Sequence, residues 1–459
     1  MAYYVKRWMT SLADSGLRLF GLRSAYRPDE IAPRESVIIG GYGYGNTGDE
    51  AQLGANLERW RTVCPKTQVL VLSPHPAYTA DHHACRSALA SRVVLFQSNK
   101  TTDFEQSSLS FRVFFWPTLI RMELNAQLMR AGLAPMLATS SEARLLLVLQ
   151  SAVVVHVSGG GFMTGPTRSR LWDACLLLRL CQRLGTPYFL TGQTIGILQN
   201  QADRWLARTA LCKAIGISLR DPGKSQSELE SIGVPRQLLF SGVDDALFCT
   251  KADEKSVAIA LSCSGVAPKQ VYLAVNYHWW GMDQETRKQS SYRLAYVLDS
   301  ISEKFRCHVL FVPMVHSDEE AQMSVIANMK QKASMLSYDY KYPLVRGVIA
   351  SAQLLVSFKH HPLIFGLGEG VPCLSISFDP YYHRKNTGAM ANLGQDRFCL
   401  DREAFFSQYC EDLIVELVED KYHICASLKT HLFRVRDAQH MFFAQALKRS
   451  DLNVAYEHT

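Results

Sequence analysis

The sequence predicts an α/β protein made of two Rossmann-like, doubly wound domains that face a cleft. Three observations predict it. Short apolar, β-branched runs recur along the chain with helical stretches between them, the pattern of parallel sheets covered on both faces. The runs fall into two sets, one in each half. A length of 459 residues leaves room for two or three domains.

The predicted strands of the first half are VIIGG (37–41), QVLVLS (68–73), AVVVHVS (152–158), PYFLTG (187–192) and GISL (216–219). Those of the second half are VYLAVNY (271–277), HVLFVP (308–313), AQLLVSF (352–358) and VPCLSISF (371–378). The boundary is expected within the polar stretch 249–270. This gives an N-terminal segment 1–35, a first domain 36–250 and a second domain 251–459 with terminal helices. Between 96 and 150 the alternation breaks. QSNKTTDFEQSS reads as a loop, and LIRMELNAQLMRAGLAPML and SSEARLLLVLQ as helices. Ser140 and Ser141 are cap candidates ahead of Glu142.

The chain is 47% hydrophobic and 20% charged, which suits a folded soluble protein. A net charge of +7 is mild for this length. It argues against a nucleic-acid partner and suits an anionic small substrate. Twelve cysteines without a C-x-x-C pair indicate neither a zinc site nor a disulfide framework, so a cytoplasmic location is expected. No run approaches the ~18 apolar residues of a membrane span. The opening stretch MAYYVKRWMTSLADSGLRLFGLR lacks the pattern of a signal peptide. It reads as a helix with Val5, Trp8, Met9, Leu12 and Leu19 on one side. That helix packs on the body or, through Lys6, Arg7, Arg18 and Arg23, touches an anionic membrane peripherally.

Ligands of open parallel sheets bind beyond the carboxyl ends of the strands, so chemistry is sought in the loop at each strand's carboxyl end. After 37–39 comes GGYGYGNTGDEAQL, in which Gly43, Gly45 and Gly48 spell G-x-G-x-x-G. The glycines allow close backbone approach to an anion, and Asn46, Thr47 or Asp49 can cap the next helix. A dinucleotide needs an acidic residue at the end of the second strand, and VLVLSPHP has none. A tight turn without a ligand stays open. Gly159, Gly160 and Gly161 after 152–158 suit a second close approach or a plain turn. After 216–219, Asp221 and Pro222 open a helix, which leaves Arg220 at the strand end. There it clamps a carboxylate or phosphate, or pairs with Asp221. After 352–358, Pro362 as first helical residue makes His361 the cap, with Lys359 and His360 just before it. Cations at a helix N-terminus fit an anion site with a proton-transferring histidine, His361 or His360. Asp379, Tyr382, His383, Arg384 and Lys385 form a basic loop after 371–378, catalytic or simply solvated. The KHHP stretch and this loop are expected to face the glycine loops across the cleft.

The ordered set GGYGYGNTGDEA, SGGGF, TGQTIGIL (191–198), Arg220-Asp221, DDALF (244–248), Val312-Pro313-Met314 and KHHPLIFGLGEGVPCLSISFDP resembles the motifs of the polysaccharide pyruvyl transferase family over about residues 37–386. The resemblance implies a GT-B-like pair of domains. It also implies transfer of the pyruvyl unit of phosphoenolpyruvate to two hydroxyls of a glycan or sugar precursor, forming a cyclic ketal with no redox cofactor or metal. On that reading His361 is the acid–base group, with His360 as second candidate. Lys359 and Arg220 hold the donor's phosphate and carboxylate. Gly43, Gly45, Asn46, Asp49, Gly160 and Gly161 line the cleft. The family often has Arg-Leu-His where this chain has Lys359-His360-His361. Many members carry a lysine directly after the Asp-Pro step, where this chain has Tyr381, and Arg384 or Lys385 is expected to supply that charge. Rival readings are a nucleotide-sugar-dependent GT-B glycosyltransferase, an oxidoreductase on G-x-G-x-x-G alone, and a non-catalytic relative that binds a glycan.

Overall fold

The computed structural model describes residues 35–89, 109–165, 168–450 and 452. The N-terminal segment, up to residue 34, lies outside them. Two parallel sheets carry the fold. The first contains β1 (Ser36–Ile39), β2 (Val69–Ser73), β3 (Arg86–Leu89), β4 (Val155–Val157), β5 (Gly160–Thr164), β6 (Tyr188–Gly196), β7 (Ile217–Leu219) and β8 (Leu239–Ser241). Its order is β3-β2-β1-β4-β6-β7-β8, with β5 pairing along β6. The second contains β9 (Tyr272–Asn276), β10 (His308–Phe311), β11 (Ala333–Met335), β12 (Leu354–Ser357), β13 (Cys373–Ile376) and β14 (Cys399–Leu400), in the order β11-β10-β9-β12-β13-β14.

Every predicted strand is present, because a strand buried on both faces must be apolar throughout. Val37 pairs with Leu70 on one side and Val155 on the other. Ala274 sits between Leu310 and Leu355. The strands that carry no such run are β3, β8, β11 and β14, at or beside the sheet margins. There one side lacks a partner strand and residues such as Arg86 and Ser334 are tolerated. β5 is a further correction. Gly160 and Gly161 were expected in a loop that makes a close backbone approach or a plain turn, but after a break at Ser158 and Gly159 the chain resumes pairing with β6, at Gly160–Gln193.

Helix starts follow side-chain chemistry. The helix Ser140–Ser151 is capped by Thr139 rather than by Ser140 or Ser141. Thr139 Oγ1 accepts from Glu142 N, and Thr139 N donates to Glu142 Oε2 at 2.8 Å. Only Thr139 has the three-residue spacing to Glu142 that this reciprocal pair requires.

The helix Thr47–Val63 joins the two halves. Ala51 and Ala55 pack in the core of the second sheet, whereas Leu53, Leu57 and Trp60 pack under the first. Thr47 Oγ1 donates to the carbonyls of Met314 (2.8 Å) and Tyr340 (3.1 Å). The last helix, Lys421–Lys448, also spans both halves. Ile424, Leu428 and Leu432 belong to the second core. Phe442, Phe443 and Leu447 close the first, with Phe443 edge-on to Trp60 at 5.4 Å. Burying each phenyl ring is worth roughly 2–3 kcal/mol. Gln439 accepts from Ser218 Oγ at 2.8 Å and donates to Asp245 at 3.3 Å. All twelve cysteines are unpaired, and among the described residues no helix is long and apolar enough to cross a membrane.

Candidate active site

Both sheets reverse their strand order once, between β1 and β4 and between β9 and β12. Ligands of doubly wound sheets bind at such reversals. Four loops therefore meet in the cleft. They follow β1 (40–46), β4 (158–159), β9 (277–283) and β12 (358–359).

The glycine loop is occupied by its own chain. Glu50 Oε1 accepts from Gly43 N at 2.8 Å and Gly45 N at 3.3 Å, and Oε2 meets His83 Nε2 at 2.8 Å. The expectation that Gly43 and Gly45 offer their N–H groups to a ligand is corrected: a buried amide takes the nearest carboxylate, here one from the helix that the loop introduces. Asn46 is the helix cap and accepts from Gly48 N at 3.1 Å. Asp49 reaches the cleft. Burial pushes its carboxyl up to about 6, against the pull of Lys385.

Across the cleft the helix His360–Gly368 starts two residues earlier than expected, with Lys359 as the cap and His361 inside the first turn. Pro362 is tolerated there because the first-turn N–H groups have no intrahelical acceptor. Lys359 is not a free cation. Its Nζ donates to Asp318 Oδ1 (2.6 Å) and Oδ2 (2.8 Å). His360 is buried between Asn386 Oδ1, 2.9 Å from Nδ1, and Asp244 Oδ2, 3.2 Å from Nε2. Burial first, then Lys385 and Arg220, lower its pKa to about 3. His361 differs. Its Nε2 is buried without a hydrogen-bond partner and lies 4.0 Å from Asp49 Oδ1. Its ring sits so close to the Gly48 backbone that any Cβ there would overlap it. Burial drives its pKa well down, so the free imidazole is neutral.

The cationic side is built by Arg220 and the helix Pro380–Ala391. Arg220 is fully buried. Its Nε donates to Thr194 Oγ1 at 2.8 Å, its Nη1 is bonded to Asp244, and its Nη2 has no partner. The pairing partner is thus Asp244 rather than the neighbouring Asp221. Burial alone would raise the Asp244 pKa, but Arg220 and then the histidines hold it well below the usual range. Arg384 Nη2 donates to Ile195 O at 3.1 Å, and its Nε is 3.6 Å from Asp221. Lys385 is buried with no hydrogen bond or ion pair among the described residues, only the Tyr382 ring 5.6 Å from Nζ. Burial, then Arg220, pulls its pKa down to about 7. Tyr381 Oη donates to Gly161 O at 2.8 Å, a closeness that only glycine permits.

One cluster therefore contains Asp49, Arg220, Asp244, His360, His361, Arg384 and Lys385, with Gly161 at its edge. Gly43 packs closely against Ser73 and Thr79 at the end of β2 and beyond it, Gly45 near Tyr78, and Gly160 against Phe162 of its own segment. A family model described as polysaccharide pyruvyl transferase matches residues 46–380. The chain belongs to the polysaccharide pyruvyl transferase family. No curated protein matches it.

Solved structures similar to this family member show its fold. A putative UDP-N-acetylglucosamine 2-epimerase from Listeria monocytogenes is 11% identical, with a TM-score of 0.55 over 92% of this chain and 98% of its own. A UDP-glucosyltransferase from Polygonum tinctorium is 12% identical, with a TM-score of 0.55 over 92% and 100%. A UDP-GlcNAc 2-epimerase from Neisseria meningitidis, bound to UDP-GlcNAc, is 10% identical, with a TM-score of 0.53 over 90% and 100%. The two-domain architecture is thus that of GT-B glycosyltransferases and epimerases.

Residue reading alone did not reach the roles of Glu50, Asp318 and Asn386. Nor did it examine the loop after β9, Tyr277-His278-Trp279-Trp280-Gly281, although the rule of reading past each strand end applies to it equally.

Proposed function

We propose that this family member transfers the pyruvyl unit of phosphoenolpyruvate to two hydroxyls of a glycan or sugar precursor, as a cyclic ketal. The observation that carries the reading is the unspent cationic capacity around one unpartnered imidazole. Among the described residues Lys385 forms no ion pair, Arg220 Nη2 has no acceptor, and His361 Nε2 has no hydrogen-bond partner. A buried, unpaired cation is costly. A donor carrying both a phosphate and a carboxylate satisfies it.

Lys385 lies one helical turn beyond Tyr381 on the same face. It takes the part of the lysine that many members carry directly after the Asp-Pro step. Lys359, tied to Asp318, sets the wall of the site rather than binding the donor directly. The bound anion opposes burial and raises the pKa of His361, which then carries a proton. That proton adds to C3 of the donor, and C2 becomes an oxocarbenium-like electrophile. The first sugar hydroxyl adds to C2 and passes its proton through Asp49 back to His361. The C2–O bond to phosphate breaks with its electron pair. The second hydroxyl closes the ring, and its proton leaves with phosphate. General acid–base catalysis contributes roughly 10²–10⁴-fold. Preorganised charge at Arg220 and Lys385 supplies further stabilisation of the transition state.

The rival is a nucleotide-sugar-dependent glycosyltransferase, the kind of activity that the name of the UDP-glucosyltransferase neighbour gives. Melting the protein with phosphoenolpyruvate, UDP-glucose, GDP-mannose and NADH in parallel separates the readings, because a ligand of the native state raises Tm. A rise with phosphoenolpyruvate that is lost in Lys385→Met supports the proposal. A rise with a nucleotide sugar alone, and no phosphate release when phosphoenolpyruvate is added to it, overturns it.

A further inference from the structure

The loops after β1 and β12 lead into the helices that carry Asp49 and His361. The loop after β9 takes no part in those steps, although β9 stands at the strand reversal of the second sheet. Its sequence is strongly aromatic and its geometry is fixed. His278 is buried. Its Nε2–H donates to Phe358 O at 3.1 Å and its Nδ1 accepts from Trp280 N at 3.0 Å, so each ring nitrogen has its partner. Trp279 packs inward under Arg287, whose guanidinium carbon is 5.2 Å from the ring. Trp280, on the pinned backbone, is 59% exposed.

The neighbours of this turn place it beside the reacting centre. The His278 ring is 5.6 Å from the Tyr382 ring, and the same Tyr382 ring is 5.6 Å from Lys385 Nζ. Gly281 lies against Asp379. Asp379 uses Oδ1 to accept from Tyr381 N and Tyr382 N, whereas its Oδ2 accepts no hydrogen bond among the described residues. An exposed indole, on a rigid turn whose following residue lies against a carboxylate with an oxygen free to accept, offers two kinds of contact. One is an apolar face, the other a hydroxyl acceptor. A pyranose presents the matching pair, a patch of C–H groups on one face and a rim of hydroxyls. Aromatic side chains carry such amphipathic contacts at low entropic cost. The carboxylate repels a diphosphate, so the surface suits an uncharged sugar over a nucleotide.

We infer that the turn Tyr277–Gly281 is the acceptor subsite, with Trp280 stacking on a pyranose ring and Asp379 Oδ2 accepting from its hydroxyls. The inference names the acceptor side of the pyruvyl-transfer reading and rests on it. A lone exposed tryptophan needs no explanation by itself. One whose backbone is held by a buried histidine at a strand reversal, on a turn whose His278 and Gly281 meet the helix that carries Lys385 and its cap Asp379, does.

The test is a printed panel of uncharged oligosaccharides, probed with wild type, Trp280→Ala and Trp280→Phe in the presence of phosphoenolpyruvate, with UDP and UMP as soluble competitors. The expected result is that wild type retains one or more pyranosides and Trp280→Ala retains them at least tenfold more weakly. Trp280→Phe stays within about threefold of wild type, and the phosphoenolpyruvate-induced rise in Tm is the same in all three. Equal retention by Trp280→Ala overturns the subsite, as does retention of no pyranoside by wild type, or displacement by UDP that depends on Trp280. If wild type shows no phosphoenolpyruvate effect but binds sugars through Trp280, the donor reading fails and the sugar platform stands.

Discussion

Replacing Lys385 by Met is expected to make the protein more stable and inactive at once. Burial holds the folded-state pKa of Lys385 at about 7, against 10.5 for an unhindered lysine, so the unfolded chain binds this proton more readily. The cost of the buried cation is therefore complete below about pH 7, shrinks between about 7 and 10.5, and is gone above that. At about 1.4 kcal/mol per tenfold, the fall corresponds to roughly 5 kcal/mol. This is a ceiling, because Asp49 and Asp244 lose the attraction of the ammonium when it goes. Urea unfolding at about pH 6.5 and pH 9.5 reads the effect. Lys385→Met should exceed wild type by several kcal/mol at the lower pH and by about 1 kcal/mol at the higher. Phosphoenolpyruvate should stabilise wild type and leave the variant unchanged. Calorimetry in two buffers of different ionisation heat, near pH 8, should find proton uptake on binding to wild type and none in the variant. A variant destabilised equally at both pH values would refute the reasoning, since Lys385 would then contribute contacts and not an unpaired charge.

Asp244→Asn leaves Arg220 and His360 without their shared carboxylate in a buried setting. It should cost about 3–5 kcal/mol in urea unfolding. Gly161→Ala places a Cβ on Tyr381 Oη and should lower kcat/KM at least tenfold, with Tyr381→Phe in the same chain restoring most of it by removing the overlapping atom. Glu50→Ala strips the acceptor from Gly43 N and Gly45 N and should cost about 1–3 kcal/mol per amide left unsatisfied. Acetate should recover part of that loss in a melting assay by filling the gap.

The interior of each sheet was legible because burial on both faces enforces continuous apolar runs such as VLVLS and YLAVN. The margins were not, since Arg86-Ser-Ala-Leu and Ala-Ser-Met carry no such run. In the site, the strand-end rule found Arg220, the histidines and the basic residues 384 and 385, although these lie on a helix and not in the expected loop. It could not find their partners. Lys359 and Asp318 are 41 residues apart in sequence, and nothing local tells a paired lysine from a free one. Nor could it separate the duties of Arg384 and Lys385. Both follow Tyr381 by about one helical turn, and only the fold shows that Arg384 meets Ile195 O and Asp221 while Lys385 stays without an ion pair among the described residues. The glycine loop misled because its anion is supplied from within, by Glu50.

The helix Lys421–Lys448 bears on how this protein is made. The apolar face of the first sheet formed by Ile38, Val71 and Phe189 is completed by Phe442, Phe443 and Leu447, which are synthesised after every strand of both sheets. The half that is synthesised first thus waits, with that face open, until the second sheet has been made. A nascent chain stalled anywhere before about residue 440 carries an exposed aromatic surface and a buried Asp245 short of one donor, Gln439. Chaperone demand should therefore persist until residues 442–447 have emerged. Fragments that end between the two sheets should aggregate even though the strands of the first sheet are all present.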